Sequence, residues 1–134
     1  MAETSHWIAI VDDDASVRKA LSRLLRTHAR HAKTFESAQA FLEALPAGLP
    51  ECLVVDWQTA GMSGLELLEH MRRRGIRVPT IIISAHSDAG ARQRCISAGA
   101  LAFLSKPLQD TELLAAIDAA RRITKKNRAG STEA

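Results

Sequence analysis

Five residues could do chemistry together if the fold brought them to one place: Asp12, Asp13, Asp56, Ser84 and Lys106. Asp12 and Asp13 open a run of three acids directly behind the apolar stretch "IAIV", where crowded like charges are costly unless something offsets them. Carboxylates are hard oxygen ligands. Mg²⁺, which keeps several waters and readily shares its shell with a phosphate, would offset their repulsion. Lys106 adds a point positive charge and Ser84 a hydrogen-bonding hydroxyl. A carboxylate can also attack phosphorus and form an aspartyl phosphate. In phosphoryl transfer a protein mostly positions groups and stabilises charge, which this set could do. Each residue alone has a plainer role: acids favour helix starts, Ser84 could cap a helix, and Lys106 could be a surface charge.

The surrounding sequence predicts the elements that would deliver them. Four nearly continuous apolar runs, Trp7 to Val11, Cys52 to Val55, Thr80 to Ile83 and Leu101 to Leu104, read as strands covered on both faces of a parallel sheet. Ala32 to Phe35 is shorter and more polar and suits an edge strand. Between them lie helical spacings. Val17, Ala20, Leu21, Leu24 and Leu25 share one face behind an Asp14 cap, and Ser37 caps a helix carrying Ala40, Phe41 and Leu45, terminated by Pro46 and Gly48. Gly64 precedes a third helix with Leu65, Leu68 and Met71, closed by Gly75. A fourth, from about Asp88 to Ala98, is weakly apolar with Gly90 in its first turn, and is expected to be the least stable. The last runs from about Asp110 to Ile123 with Leu113, Leu114, Ile117 and Ala120 inward. Strand then helix, five times over, predicts an α/β sandwich of three layers with parallel strands and right-handed crossovers. Ligands in such sheets bind beyond the carboxyl ends of the strands, where Asp12, Asp13, Asp56, Ser84 and Lys106 all fall.

At these residues the sequence resembles the receiver domain of two-component response regulators, the CheY-like family, over about residues 6 to 124. "IVDDD" is similar to the acidic pair after the first strand, and "LVVDWQTAGMSGLELL" to the phosphoacceptor segment, with Asp56 in the acceptor position. "IIISAH" resembles the strand that ends in Ser or Thr, and "AGALAFLSKP" the segment with an aromatic residue and then Lys-Pro. The resemblance implies a doubly wound, flavodoxin-like (βα)5 fold with strand order 2-1-3-4-5. It implies that Asp56 takes a phosphoryl group from a sensor histidine kinase, and that Mg²⁺ is bound by Asp13, Asp56 and the backbone carbonyl of Gln58, with Asp12 acting through water. Lys106 and Ser84 would contact the phosphoryl group, Phe103 would change its side-chain position, and the Lys106-Pro107 bond would be cis. The switched face would comprise the fourth helix, fifth strand and fifth helix, with a phosphorylation-dependent homodimer among its outcomes. The acceptor loop and "SAHSD" look most like regulators of the nitrogen-fixation type. The sequence departs from the family at Ala60, where many relatives carry proline, and at Trp57, which is larger than the common aliphatic residue and is expected to pack between its loop and the adjacent helix.

Two other readings compete. One is a receiver-fold binding module without phosphorylation. The other is a haloacid-dehalogenase-like phosphatase using Asp12-x-Asp14, which leaves Asp56 without a purpose and lacks an acidic metal motif after Lys106. At 134 residues, 46% hydrophobic and 25% charged, the chain fits one globular domain. We assign residues 1–124 to the receiver domain and 125–134 to a flexible tail or linker stub. The net charge is +3, and the basic clusters Arg72 to Arg74, Arg121-Arg122 and Lys125-Lys126 fall at helix ends, where cations are locally favoured. With two Trp, three Phe and no Tyr there is no stacking platform, so DNA is expected to be met only through a domain not present here. Cys52 and Cys95 read as reduced and buried. No apolar run is long enough for a bilayer and "MAETSHW" has no signal-peptide pattern, so a cytoplasmic location is expected.

Overall fold

The computed structural model describes residues 6–59, 61–85 and 89–132. Ala60 and the "HSD" of 86–88, at the expected start of the fourth helix, lie outside the described residues. The elements alternate along the chain: β1 (Ile8–Val11), α1 (Ala15–Thr27), β2 (Ala32–Phe35), α2 (Ala38–Ala44), β3 (Cys52–Asp56), α3 (Gly64–Arg73), β4 (Thr80–Ser84), α4 (Ala89–Ser97), β5 (Ala102–Ser105) and α5 (Asp110–Thr132). A 3₁₀ turn, Leu45–Ala47, continues α2 and contains Pro46. All strands are parallel, in the order β2-β1-β3-β4-β5. This is the doubly wound, flavodoxin-like arrangement.

Alternation within each strand splits the core in two, one layer on each face of the sheet. Ile8, Ile10, Cys52, Val54, Ile81 and Ile83 face α1 and α5, where they meet Leu21, Leu25, Leu113, Ile117 and Ala120. Ala9, Val11, Leu53, Val55, Ile82 and Phe103 face α2, α3 and α4, where they meet Phe41, Leu67, Met71 and Cys95. Because both faces are covered, the strands show no hydrophobic–polar alternation, which explains the continuous apolar runs. Edge strand β2 is the exception, with Lys33 and Thr34 exposed. Cys52 and Cys95 are free and buried, and burial pushes the Cys95 thiol up to about 11.

Local signals set most helix starts. The Asp14 carboxylate accepts from the N–H groups of Ser16 and Val17, and the Ser37 hydroxyl accepts from Ala40 N–H. Helix α3 begins with a full capping box. Ser63 Oγ accepts from Glu66 N–H at 3.1 Å, and Glu66 Oε1 accepts from Ser63 N–H at 2.8 Å. Gly75, at φ +70°, closes that helix as expected.

Some details differ from the pattern, beyond strand ends that shift by one residue at β1, β3 and β4. In α3, Leu67 is fully buried and Leu65 only half-buried, because the capping box fixes the helix phase so that Leu67, Leu68 and Met71 point inward. Strand β5 is Ala102–Ser105, one residue later than the apolar run, although Leu101 N–H already donates to Thr80 O at the strand's approach. Helix α5 continues to Thr132 rather than ending near Ile123. Thr124 is buried, its hydroxyl donating to the Glu51 carbonyl at 2.7 Å, and Arg121 Nε donates to the buried Glu51 carboxylate at 3.1 Å. Residues Lys125 to Ala129 contain no Gly or Pro to stop the helix.

Candidate functional site

The order of strands reverses beside β1, which has β2 on one side and β3 on the other, leaving a crevice at the carboxyl edge. Strand register carries the polar groups to that edge. Asp12 follows β1, Asp56 ends β3, Ser84 ends β4 and pairs with Ser105, and Lys106 follows β5. Ladder bonds extend a residue beyond the strands: Asp12 N–H donates to Phe35 O, Trp57 N–H to Ile83 O at 2.7 Å, and Lys106 N–H to Ser84 O at 2.8 Å.

Asp12, Asp13 and Asp56 offer carboxylate oxygens that all lie within 4.8 Å of one another. Among the described residues, no other trio of His, Cys, Asp or Glu side chains does so. Asp12 is buried, with 3% of its surface exposed, while Asp13 is exposed and the Asp56 side chain is 12% exposed. Lys106 Nζ stands 3.5 Å from Asp56 Oδ2 and 3.9 Å from Asp12 Oδ2. Burial raises the Asp12 carboxyl above its ordinary value of 3.8; the Asp14 N–H bond at 2.9 Å opposes the rise, Asp56 repulsion reinforces it, and the Lys106 charge opposes it in turn. Lys106 pairs with two of the carboxylates and Arg18 Nη1 donates to the Asp12 main-chain carbonyl at 2.7 Å, so the three acids still outnumber these two cations beside them. A compact cluster of hard oxygen donors with excess negative charge fits a small divalent cation. Asp14 does not join it; its carboxylate is occupied in capping α1.

Ser84 is buried at the end of β4. Phe103, 2% exposed, lies on the α4 side of β5, and Gln58 is exposed in the bend two residues beyond Asp56. The Lys106-Pro107 peptide bond is cis.

Comparison with known proteins identifies the frame in which this site sits. The family model for the response regulator receiver domain matches residues 8–118. This chain belongs to that family. Its receiver domain is 36% identical over 127 residues to nodulation protein W of Bradyrhizobium diazoefficiens, covering 95% of the chain and 56% of that protein. It is 35% identical over 131 residues to response regulator protein TodT of Pseudomonas putida, covering 98% of the chain and 58% of that protein. The chain therefore spans little more than half the length of these curated relatives. Among solved structures, the crystal structure of FixJ-N superposes at a TM-score of 0.82 with 35% identity, covering 89% of this chain and 95% of that one. The chain is a receiver domain of two-component response regulators.

Two features of this receiver domain escape the sequence pattern. Trp57 packs against the core layer that α3 and α4 share. Its ring meets Phe103 edge-on at 6.3 Å, and the Arg94 guanidinium of α4 lies over its face at 5.4 Å. Basic and aromatic partners 37 and 46 positions away, respectively, carry no local signal of such contacts. The second is Gly64, at the first turn of α3, whose N–H donates to Trp57 O at 3.0 Å. A Cβ at Gly64 would stand 2.8 Å from the Asp56 carbonyl oxygen, a main-chain atom that can yield only if β3 shifts. Gly64→Ala is therefore expected to lower stability by about 1–3 kcal/mol and to weaken Mg²⁺ affinity, read by urea unfolding and metal titration. Unchanged values in both would mean that α3 retreats from β3 without cost.

Proposed function

We propose that Asp56 accepts a phosphoryl group from a phosphohistidine of a sensor histidine kinase. Asp13, Asp56 and the Gln58 main-chain carbonyl would hold Mg²⁺, with Asp12 acting through water. The observation that carries this reading is the meeting of three carboxylates with a single ammonium at the carboxyl edge of a receiver-family sheet. In the transfer, an Asp56 oxygen attacks phosphorus; the O–P bond forms as the N–P bond breaks, and the electron pair of that bond returns to the imidazole. When bound, Mg²⁺ would neutralise carboxylate charge and the charge developing on the phosphoryl oxygens.

The chain's own side chains supply the rest. Lys106 holds a fixed positive charge against the transferred group, and the Ser84 hydroxyl donates to one of its oxygens. These residues assist transfer onto Asp56 and later attack by water, which returns the carboxylate and releases phosphate. Movement of Ser84 toward the phosphoryl group vacates space into which Phe103 turns, altering the face of α4, β5 and α5. That face is the basis for a phosphorylation-dependent homodimer or for contact with a downstream effector; DNA would be reached only through another domain. Residues 1–124 form the receiver unit and 125–134 the tail or linker stub, and the cytoplasm, where a kinase could reach Asp56, is the expected location.

Incubating the chain with Mg²⁺ and acetyl phosphate, then trapping the acyl phosphate with borohydride before mass spectrometry, tests the reading. The expected product is a single modification at Asp56. Modification at Asp12 would transfer the nucleophile to the other acid, as in a haloacid-dehalogenase-like phosphatase, and would overturn the assignment.

A further inference from the structure

Helix α4 is held to the sheet in an unusual way. Its buried residues with described side chains include only the small Ala91 and Cys95, so little apolar area fixes it. Arg92 and Arg94 fall about 80° to either side of the line joining these two, on opposite flanks of the helix. Each is an exposed residue whose guanidinium nonetheless lies over a ring. Arg92 sits 5.4 Å from the Phe103 centroid and Arg94 5.4 Å from the Trp57 centroid. Both distances are within the range of cation–π attraction. The two rings also meet each other edge-on at 6.3 Å. The helix therefore straddles an aromatic pair, one arginine down each side, and one of the two rings belongs to the residue directly after Asp56.

We propose that Arg92, Arg94, Trp57 and Phe103 form a cation–π saddle that latches α4 in its resting position, with Trp57 and Arg94 acting as positioning residues that tie the acceptor loop to this helix. The latch itself is a property of the unphosphorylated chain. Its link to signalling rests on the phosphoacceptor reading given above. The argument for that link is geometric. Phe103 touches both Trp57 and Arg92, so displacing its ring removes the Arg92 contact and the edge support of Trp57 in one step. Trp57 cannot follow by moving its main chain, because its N–H is bonded to Ile83 O and its carbonyl to Gly64 N–H. Losing one half of the saddle thereby weakens the other, and α4, with only small apolar anchors, is freed.

Hydrogen exchange of residues 91–97 in the unliganded domain is the first test. Arg94→Gln and Trp57→Leu are each expected to raise exchange about two- to fivefold, and the double variant no further than Trp57→Leu, since both remove the Arg94–Trp57 contact. Arg94→Lys, which keeps the cation, is expected to restore most of the protection. Additive effects, or unchanged exchange in the single variants, would overturn the latch. The second test is beryllofluoride binding in the presence of Mg²⁺. Arg94→Gln is expected to bind about threefold more tightly than wild type, because less must be broken on switching. Equal affinity would refute the coupling even if exchange rises. Absence of beryllofluoride binding to the wild type would instead indict the acceptor reading, while the exchange cycle still decides the latch.

Discussion

Asp56→Asn is expected to take up no phosphoryl group from acetyl phosphate, under conditions in which the wild type is labelled at one acid-labile site. The substitution keeps the shape of the side chain but replaces an anionic oxygen nucleophile by a neutral amide, so the loss is expected to reach at least about a thousandfold in rate. It also removes the partner 3.5 Å from Lys106 Nζ and one of the three carboxylates of the cluster, so Mg²⁺ affinity falls with it. Acid-labile labelling is read by radioactive transfer or by intact mass. Labelling of the variant at the wild-type rate would mean that another side chain is the acceptor.

Asp12→Asn is expected to stabilise the metal-free domain while weakening its response to Mg²⁺. Asp12 is almost fully buried and its carboxyl is raised, first by burial and further by Asp56 and Asp13. An asparagine oxygen can still accept from Asp14 N–H, the bond that Asp12 Oδ1 makes at 2.9 Å, while the buried charge disappears. Relief of that charge is expected to add on the order of 1 kcal/mol to the unfolding free energy without metal. The sign of the pH dependence follows from the raised folded value. In the wild type the penalty is absent where Asp12 is protonated in both states, below its ordinary value of 3.8, and grows as pH rises through its elevated folded value. The stability difference between variant and wild type should therefore open with increasing pH above 3.8 and close below it. Urea unfolding across that range, with and without Mg²⁺, reads both effects. A variant less stable than wild type at neutral pH without metal would mean that Lys106 already compensates the cluster.

The polar groups of the site and the strands beneath them were legible for one reason: a parallel strand covered on both faces is a continuous apolar run, and its end is marked by the first polar residue. Asp12, Asp56 and Ser84 stand at such ends, while the strand order was available only through the family resemblance, since right-handed crossovers alone allow several orders. Asp14 and Ser37 were legible as caps because capping is local. What could not be read were interactions between residues distant in the chain. The pairing of buried Glu51 with Arg121 and Thr124, 70 and 73 positions away, extends α5 past the end of its apolar stripe. The choice of Leu67 over Leu65 is a different kind of miss, because the Ser63–Glu66 capping box that starts α3 is itself a local signal. The partners of Trp57 lie on β5 and α4, and nothing in the run "DWQTAG" indicates them.

The bracing of the Trp57 peptide has a consequence for where a new charge on its neighbour can be absorbed. With that peptide bonded to β4 on one side and to the first turn of α3 on the other, and Gly64 pressed against the Asp56 carbonyl, the main chain at Asp56 behaves as an anvil. Strain introduced there has no local slack to dissipate into. On the phosphoacceptor reading it would be expressed instead in rotamers and in the weakly anchored α4, so a stiff seat for Asp56 would let a distant surface respond.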